Sequence, residues 1–152
     1  MYKNNKLITY FTFISLILLF GIEGCSSARS TIELLSERHE IKRAVQKYFD
    51  AEIRGDFRSV YKCLAPSSSY RSTHTYKDYL MEAESSPVRV ISYSITKIHD
   101  LRANQYQDKY PGIEKFVQVE VDVTLFYDDI KRRSMVNYDF TFIKEDGTWY
   151  KG

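Results

Sequence analysis

The chain has 152 residues, 43% hydrophobic and 28% charged, which is the make-up of an ordinary globular protein with one domain's worth of core. Its net charge is +2, and the first 24 residues hold one net positive charge of that, from Lys3, Lys6 and Glu23. So balanced a surface excludes the clustered basic charge of a nucleic-acid binder, and the sole basic run, Lys131-Arg132-Arg133, falls where a solvated hairpin turn is expected. Residues 1–24 carry the three parts of an export signal: Lys3 and Lys6 at the start, an uncharged apolar run from Leu7 to Ile22, and a small residue before a cysteine. As a helix those 16 residues span about 24 Å, short of a hydrocarbon core of roughly 30 Å. The run fits a removable signal better than a permanent span.

The four residues Ile22-Glu23-Gly24-Cys25 resemble the bacterial lipobox, with an aliphatic residue, a variable position, a small residue and the lipid-accepting cysteine. The resemblance implies that Cys25 carries a diacylglyceryl thioether and becomes the new N-terminus, so that the mature protein is a bacterial lipoprotein anchored in the cell envelope. In a bacterium with an outer membrane, Ser26 after the cysteine is similar to the sorting pattern for that membrane's periplasmic side. One acyl chain holds a protein only marginally, at about 0.8 kcal/mol per buried methylene, whereas two or three attach it firmly. Residues 25–35 then read as the lipidated cysteine and a tether. With Cys25 lipidated, Cys63 has no partner for an internal disulfide, and its place between Val60 and Leu64 predicts a buried structural thiol.

The folded domain spans residues 36–152. Ile41, Ala44, Val45, Tyr48 and Phe49 recur at helical spacing, and Gly55 ends that helix. Asp56 caps a second helix whose Phe57, Val60, Tyr61 and Leu64 face inward, and Pro66 with three serines breaks it. Tyr70–His74 reads as ambiguous, with a short strand one option. Thr73 or Thr75 caps a third helix over about Tyr76–Glu84. Beyond Pro87 the period becomes two. Val88–Ile98 reads as a strand with a bulge where Val90 and Ile91 adjoin, and Asp100–Gly112 as a loop. Phe116–Tyr127 is the clearest strand, followed by a turn at Asp128-Asp129, a strand over Ser134–Ile143, a Glu145-Asp146-Gly147 hairpin turn and a last strand over Thr148–Lys151. Helices first and antiparallel strands after predict an α+β fold in which helices cover one face of the sheet.

The segments AVQKYFDAEIRGDFRSVYKCLAP (residues 44–66) and FTFIKEDGTWYKG (140–152) resemble the nuclear transport factor 2-like group, the cone-shaped α+β fold shared with ketosteroid isomerase and polyketide-cyclase-like enzymes, and cystatin-like in outline. The resemblance implies a curved, mostly antiparallel sheet wrapped around the first helices, with a pocket at its open end. Tyr48 lies where the isomerases place their oxyanion tyrosine. Their base position falls near Ser72, which accepts no proton at neutral pH, and their second oxyanion donor falls near Tyr138. Isomerase chemistry is therefore not expected.

The candidate pocket residues are Tyr48, Tyr61, His74, Tyr138 and Trp149. Inward aromatics either fill the cone or line a pocket for a small apolar or aromatic ligand, and both remain open. His39 and His99 read as surface or strand-end residues. No histidine spacing points to a metal, no phosphate loop or nucleophile elbow occurs, and no cofactor is expected. The leading expectation is a non-catalytic envelope lipoprotein that binds a ligand or protein partner. The alternative is a pocket enzyme of the dehydratase or cyclase type. The polar outward residues Gln118, Glu120, Asp122, Asn137 and Asp139 imply a monomer or weak homodimer.

Overall fold

In the computed structural model, residues 25–152 are described, with the backbone alone for 25–31. The export-signal segment and the side chain of Cys25 lie outside the described residues. Helix α1 runs Cys25–Arg54, so the stretch read as a tether is helical backbone here; it contains neither Gly nor Pro to stop the helix earlier. Ile41, Val45 and Phe49 are completely buried along one stripe of α1. Gly55 ends the helix with a positive φ of 64°, and Asp56 accepts the Ser59 amide at 3.1 Å to start α2 (Phe57–Cys63). Cys63 is a buried free thiol, and burial pushes it above its ordinary pKa.

Residues 69–73 form a short helix, α3 (Ser69–Thr73), where a strand was one option, because Ser68 caps it by accepting the Arg71 amide. Helix α4 (Tyr76–Ser85) opens with a reciprocal capping box between Thr75 and Asp78.

The sheet holds β1 (Val88–Ile98), β2 (Arg102–Ala103), β3 (Ile113–Tyr127), β4 (Arg132–Glu145) and β5 (Thr148–Lys151). Its order is β1-β3-β4-β5, all neighbours antiparallel, with β2 pairing the start of β3. Strand β1 carries a bulge at Ile91, where the parity slips, and a second irregularity at Thr96; together they bend the strand. The expected loop at 100–112 contains β2, and β4 starts two residues earlier than expected. Arg132 and Arg133 therefore belong to a strand, and only Lys131 sits in the turn, with φ of 51°. At the other hairpin Asp146 and Gly147 both take positive φ, as a type I′ turn requires.

Four helices pack against the concave side of this curled antiparallel half-barrel. Val117, Val119, Val121 and Val123 from β3 and Phe142 and Trp149 from β4 and β5 meet the α1 stripe to form the core. Phe49 stacks on Tyr93 with ring centroids 4.9 Å apart and meets Phe140 edge-on at 5.2 Å. Aromatic rings thus pack between α1 and the middle of the half-barrel. Strand β5 covers only Phe142–Glu145 of β4, so the edge from Arg132 to Thr141 has no strand partner among the described residues.

Candidate functional site

Four residues after Tyr48, one helical turn, α1 brings Glu52 to the same side as the core stripe. A carboxylate there is not surface decoration. Glu52 is half-buried at the helix end, where it lines a groove of about 830 Å³ with Phe57, Tyr79, Val90 and Ile91. The groove lies between the end of α1, helix α4 and the bulged start of β1. Its outer rim carries the Arg89–Asp128 pair, joined by two hydrogen bonds of 2.7 and 3.1 Å. On the other side of Tyr79 and Glu82 a second hollow, of about 380 Å³, is lined by Lys151, Leu64 and Tyr70.

Burial perturbs several titratable groups at this end of the half-barrel. Burial pushes the Glu52 carboxyl above its ordinary pKa, more strongly than the Tyr48 hydrogen bond and the Lys151 charge pull it down. Burial likewise drives the Tyr48 hydroxyl far upward, with the neighbouring Glu52 charge adding to it, and Tyr79 follows for the same two reasons. Lys151 is lowered by burial, with Glu52 opposing the shift. The result is a half-buried carboxyl near a tyrosine hydroxyl and a lysine ammonium, at an open groove. Such a carboxyl keeps its proton to a higher pH than a surface Glu does.

Phe57 and Tyr79 of the groove wall continue, away from the groove, into an aromatic cluster outside the core. Tyr61 contacts Tyr76 and Tyr79 at 5.6 and 5.7 Å, Phe57 meets Tyr79 at 6.4 Å, and Arg71 sits 5.1 Å above the Tyr61 ring. Helices α3 and α4 bury no residue completely, so these rings and the caps hold them in place.

The residues singled out from the sequence separate into three places. Tyr48 packs against the core and Tyr61 against Tyr79, each behind a residue that lines the groove and neither lining it itself. His74 borders it on the outside: its ring stacks on Tyr70 at 4.4 Å, its Nε2 is 3.8 Å from Glu82, and its carbonyl accepts the Tyr61 hydroxyl at 2.9 Å. Trp149 is buried at the opposite end, where its Nε1 donates to Glu37 at 3.1 Å. Tyr138 is 49% exposed on the open edge of β4 with its ring against Phe140, and no ring contact or hydrogen bond joins it to Tyr48 among the described residues. At that level β4 has β3 as its one strand partner among the described residues, since β5 pairs only with Phe142–Glu145. Glu52 went unread in the sequence, although its spacing from Tyr48 on the apolar stripe is the signal that finds it.

A second polar cluster is structural. Glu37, buried on α1, accepts from Lys115 at 2.6 Å, Lys144 at 3.0 Å and Trp149. Burial alone would raise its carboxyl, but the two lysine hydrogen bonds and charges outweigh that and hold it below the ordinary value. Every acceptor position in use faces a donor from the sheet, and no cleft reaches it among the cavities described.

No protein-family profile matches the chain, and no curated protein matches it in sequence. No described helix is long and apolar enough to cross a membrane.

Proposed function

We propose that the protein is an envelope lipoprotein, anchored through Cys25, whose nuclear transport factor 2-like domain binds a small amphipathic molecule in the groove at Glu52. The half-buried Glu52 carboxyl, lining the groove with Tyr79 and raised above its ordinary pKa by burial, carries this reading, because such perturbed acids at clefts concentrate at functional sites. The curled half-barrel with its helices on the concave face supports the fold reading. The ligand class follows from the lining. Phe57, Val90 and Ile91 favour an apolar or aromatic body, while Glu52 and Tyr79 meet a hydroxyl, carbonyl or amine.

The test is a ligand-observed NMR screen of the full-length protein with small aromatic alcohols and amines. Binders are expected to lose at least tenfold affinity in Glu52→Gln and to keep it in His74→Gln. Binding indifferent to Glu52 would sink the assignment. Anchoring is tested separately: Cys25→Ser is expected to abolish radiolabelled-palmitate incorporation and signal removal, and normal processing of that variant would refute the lipobox.

A second reading, a pocket enzyme of the dehydratase or cyclase type, is favoured by the upward shift of Glu52, since a general acid-base group needs a pKa near the working pH. Turnover abolished in Glu52→Gln with ligand affinity retained would separate it from simple binding. The polar outer face of the sheet supports a monomer or weak homodimer.

A further inference from the structure

On the convex face of the sheet, away from the groove, Glu120 of β3, Asp139 of β4 and His99, the residue after β1, bring three metal-competent side chains together. Glu120 of β3 pairs directly with Asp139 of β4. His99 follows the last residue of β1, Ile98, whose ladder partner is Val119, and its amide donates to the Gln118 carbonyl at 2.9 Å. The backbone therefore sets His99 opposite Gln118 and diagonally across from Glu120, whose direct ladder partner on β1 is Lys97. The His99 Nε2 lies 2.6 Å from the Glu120 carboxylate and 3.9 Å from that of Asp139, and the three ligand atoms fall within 4.8 Å of one another.

Carboxylates directly opposite in a ladder repel, and half-exposed side chains are free to splay apart. Here both turn toward the same imidazole nitrogen. Asp139, at 56% exposure, has no ion-pair neighbour other than His99 among the described residues, at a distance too long for a hydrogen bond. The flanking polar groups are already satisfied, Asp122 by Asn137 at 2.7 Å and Gln118 by Arg102 at 2.9 Å. Lys97 is the one competitor, with its ammonium 4.0 Å from Glu120.

We propose that His99, Glu120 and Asp139 form a surface site for a divalent transition metal of the zinc class. Two carboxylates supply the charge that such an ion needs, and one imidazole nitrogen favours zinc over calcium or magnesium, which take oxygen ligands. Ligands bound at about 2.1 Å around a tetrahedral ion stand about 3.4 Å apart. The 2.6 and 3.9 Å separations reach that value by moving each side chain less than about 1 Å, with the strands fixed. Three protein ligands leave a coordination position for water or for a partner's donor atom.

The test is zinc titration by calorimetry on the chelator-stripped full-length protein in detergent, with circular dichroism as the folding control. One zinc per chain is expected. His99→Gln, Glu120→Gln and Asp139→Asn should each weaken binding at least tenfold, Asp122→Asn should change it less than twofold, and Lys97→Met should tighten it. Cobalt substituted at the same stoichiometry should show no thiolate charge-transfer band. Absence of saturable zinc uptake, full binding in a folded Asp139→Asn variant, equal loss in Asp122→Asn, or a thiolate band would each overturn the site.

Discussion

Glu37 offers the sharpest test of how the long helix is fastened to the sheet. Its side chain is 12% exposed and takes hydrogen bonds from Lys115, Lys144 and the Trp149 indole. Glu37→Ala leaves two ammonium groups and one indole N–H without their acceptor. Removing one partner of a buried ion pair costs about 3–5 kcal/mol, because the remaining charge stays desolvated. The lower end applies here: Lys115 is 26% exposed and has Glu33 within 3.8 Å, so water and a second carboxylate offset part of the loss. The expected cost is about 3 kcal/mol, or about 10 °C in Tm for a domain of this size. Trp149 is the single tryptophan and touches the perturbed carboxylate, so its fluorescence in urea reports the transition directly. Because the folded-state carboxyl is held below 4.5, its contribution is complete above about pH 5 and is lost as pH falls through the folded value. Glu37→Gln should remove that acid-side slope. Replacing Glu37 and Lys144 together by Leu and Met should cost less than the sum of the single changes. An Ala variant within 1 kcal/mol of wild type at unchanged m would show that the cluster is not desolvated as argued.

Glu52 has the opposite sign. With its carboxyl raised in the fold, the unfolded chain releases that proton first as pH rises, so Glu52 subtracts stability between its unfolded and folded values, and Glu52→Gln should flatten the decline in Tm over that range. An unchanged slope would mean that Glu52 is solvated. Asp56→Ala removes the oxygen that accepts the Ser59 amide and should cost about 1 kcal/mol by urea titration, with Asp56→Ser restoring most of it. Gly55→Ala meets no atom within 4 Å, yet its φ of 64° penalises any Cβ, so about 1 kcal/mol of destabilisation without loss of packing is expected; a neutral result would place the residue outside the left-handed region.

Much of the fold is local and was legible. The alternation Val117-Val119-Val121-Val123 reads as a half-buried strand because side chains on a strand change face at every residue. Gly55 and Asp56 mark one helix end and the next start for reasons contained in two residues, and the slip at Val90-Ile91 announces a bulge because an extra residue must break the period of two. At 69–73 the local signals left more than one outcome open, and a cap from Ser68 settled it as helix.

What no local pattern contains is distance across the chain. Glu37 meets Lys144 across 107 positions, and His99 meets Glu120 and Asp139 only because two hairpins fix the register of three strands. Tyr138 has the inward parity of its strand, yet it is exposed, on the stretch of β4 that no described strand but β3 pairs. Periodicity determines which face a side chain takes, since that depends on the residue's own backbone. Whether that face is covered, paired or left open depends on where other elements stop, and that was decided only by the tertiary structure.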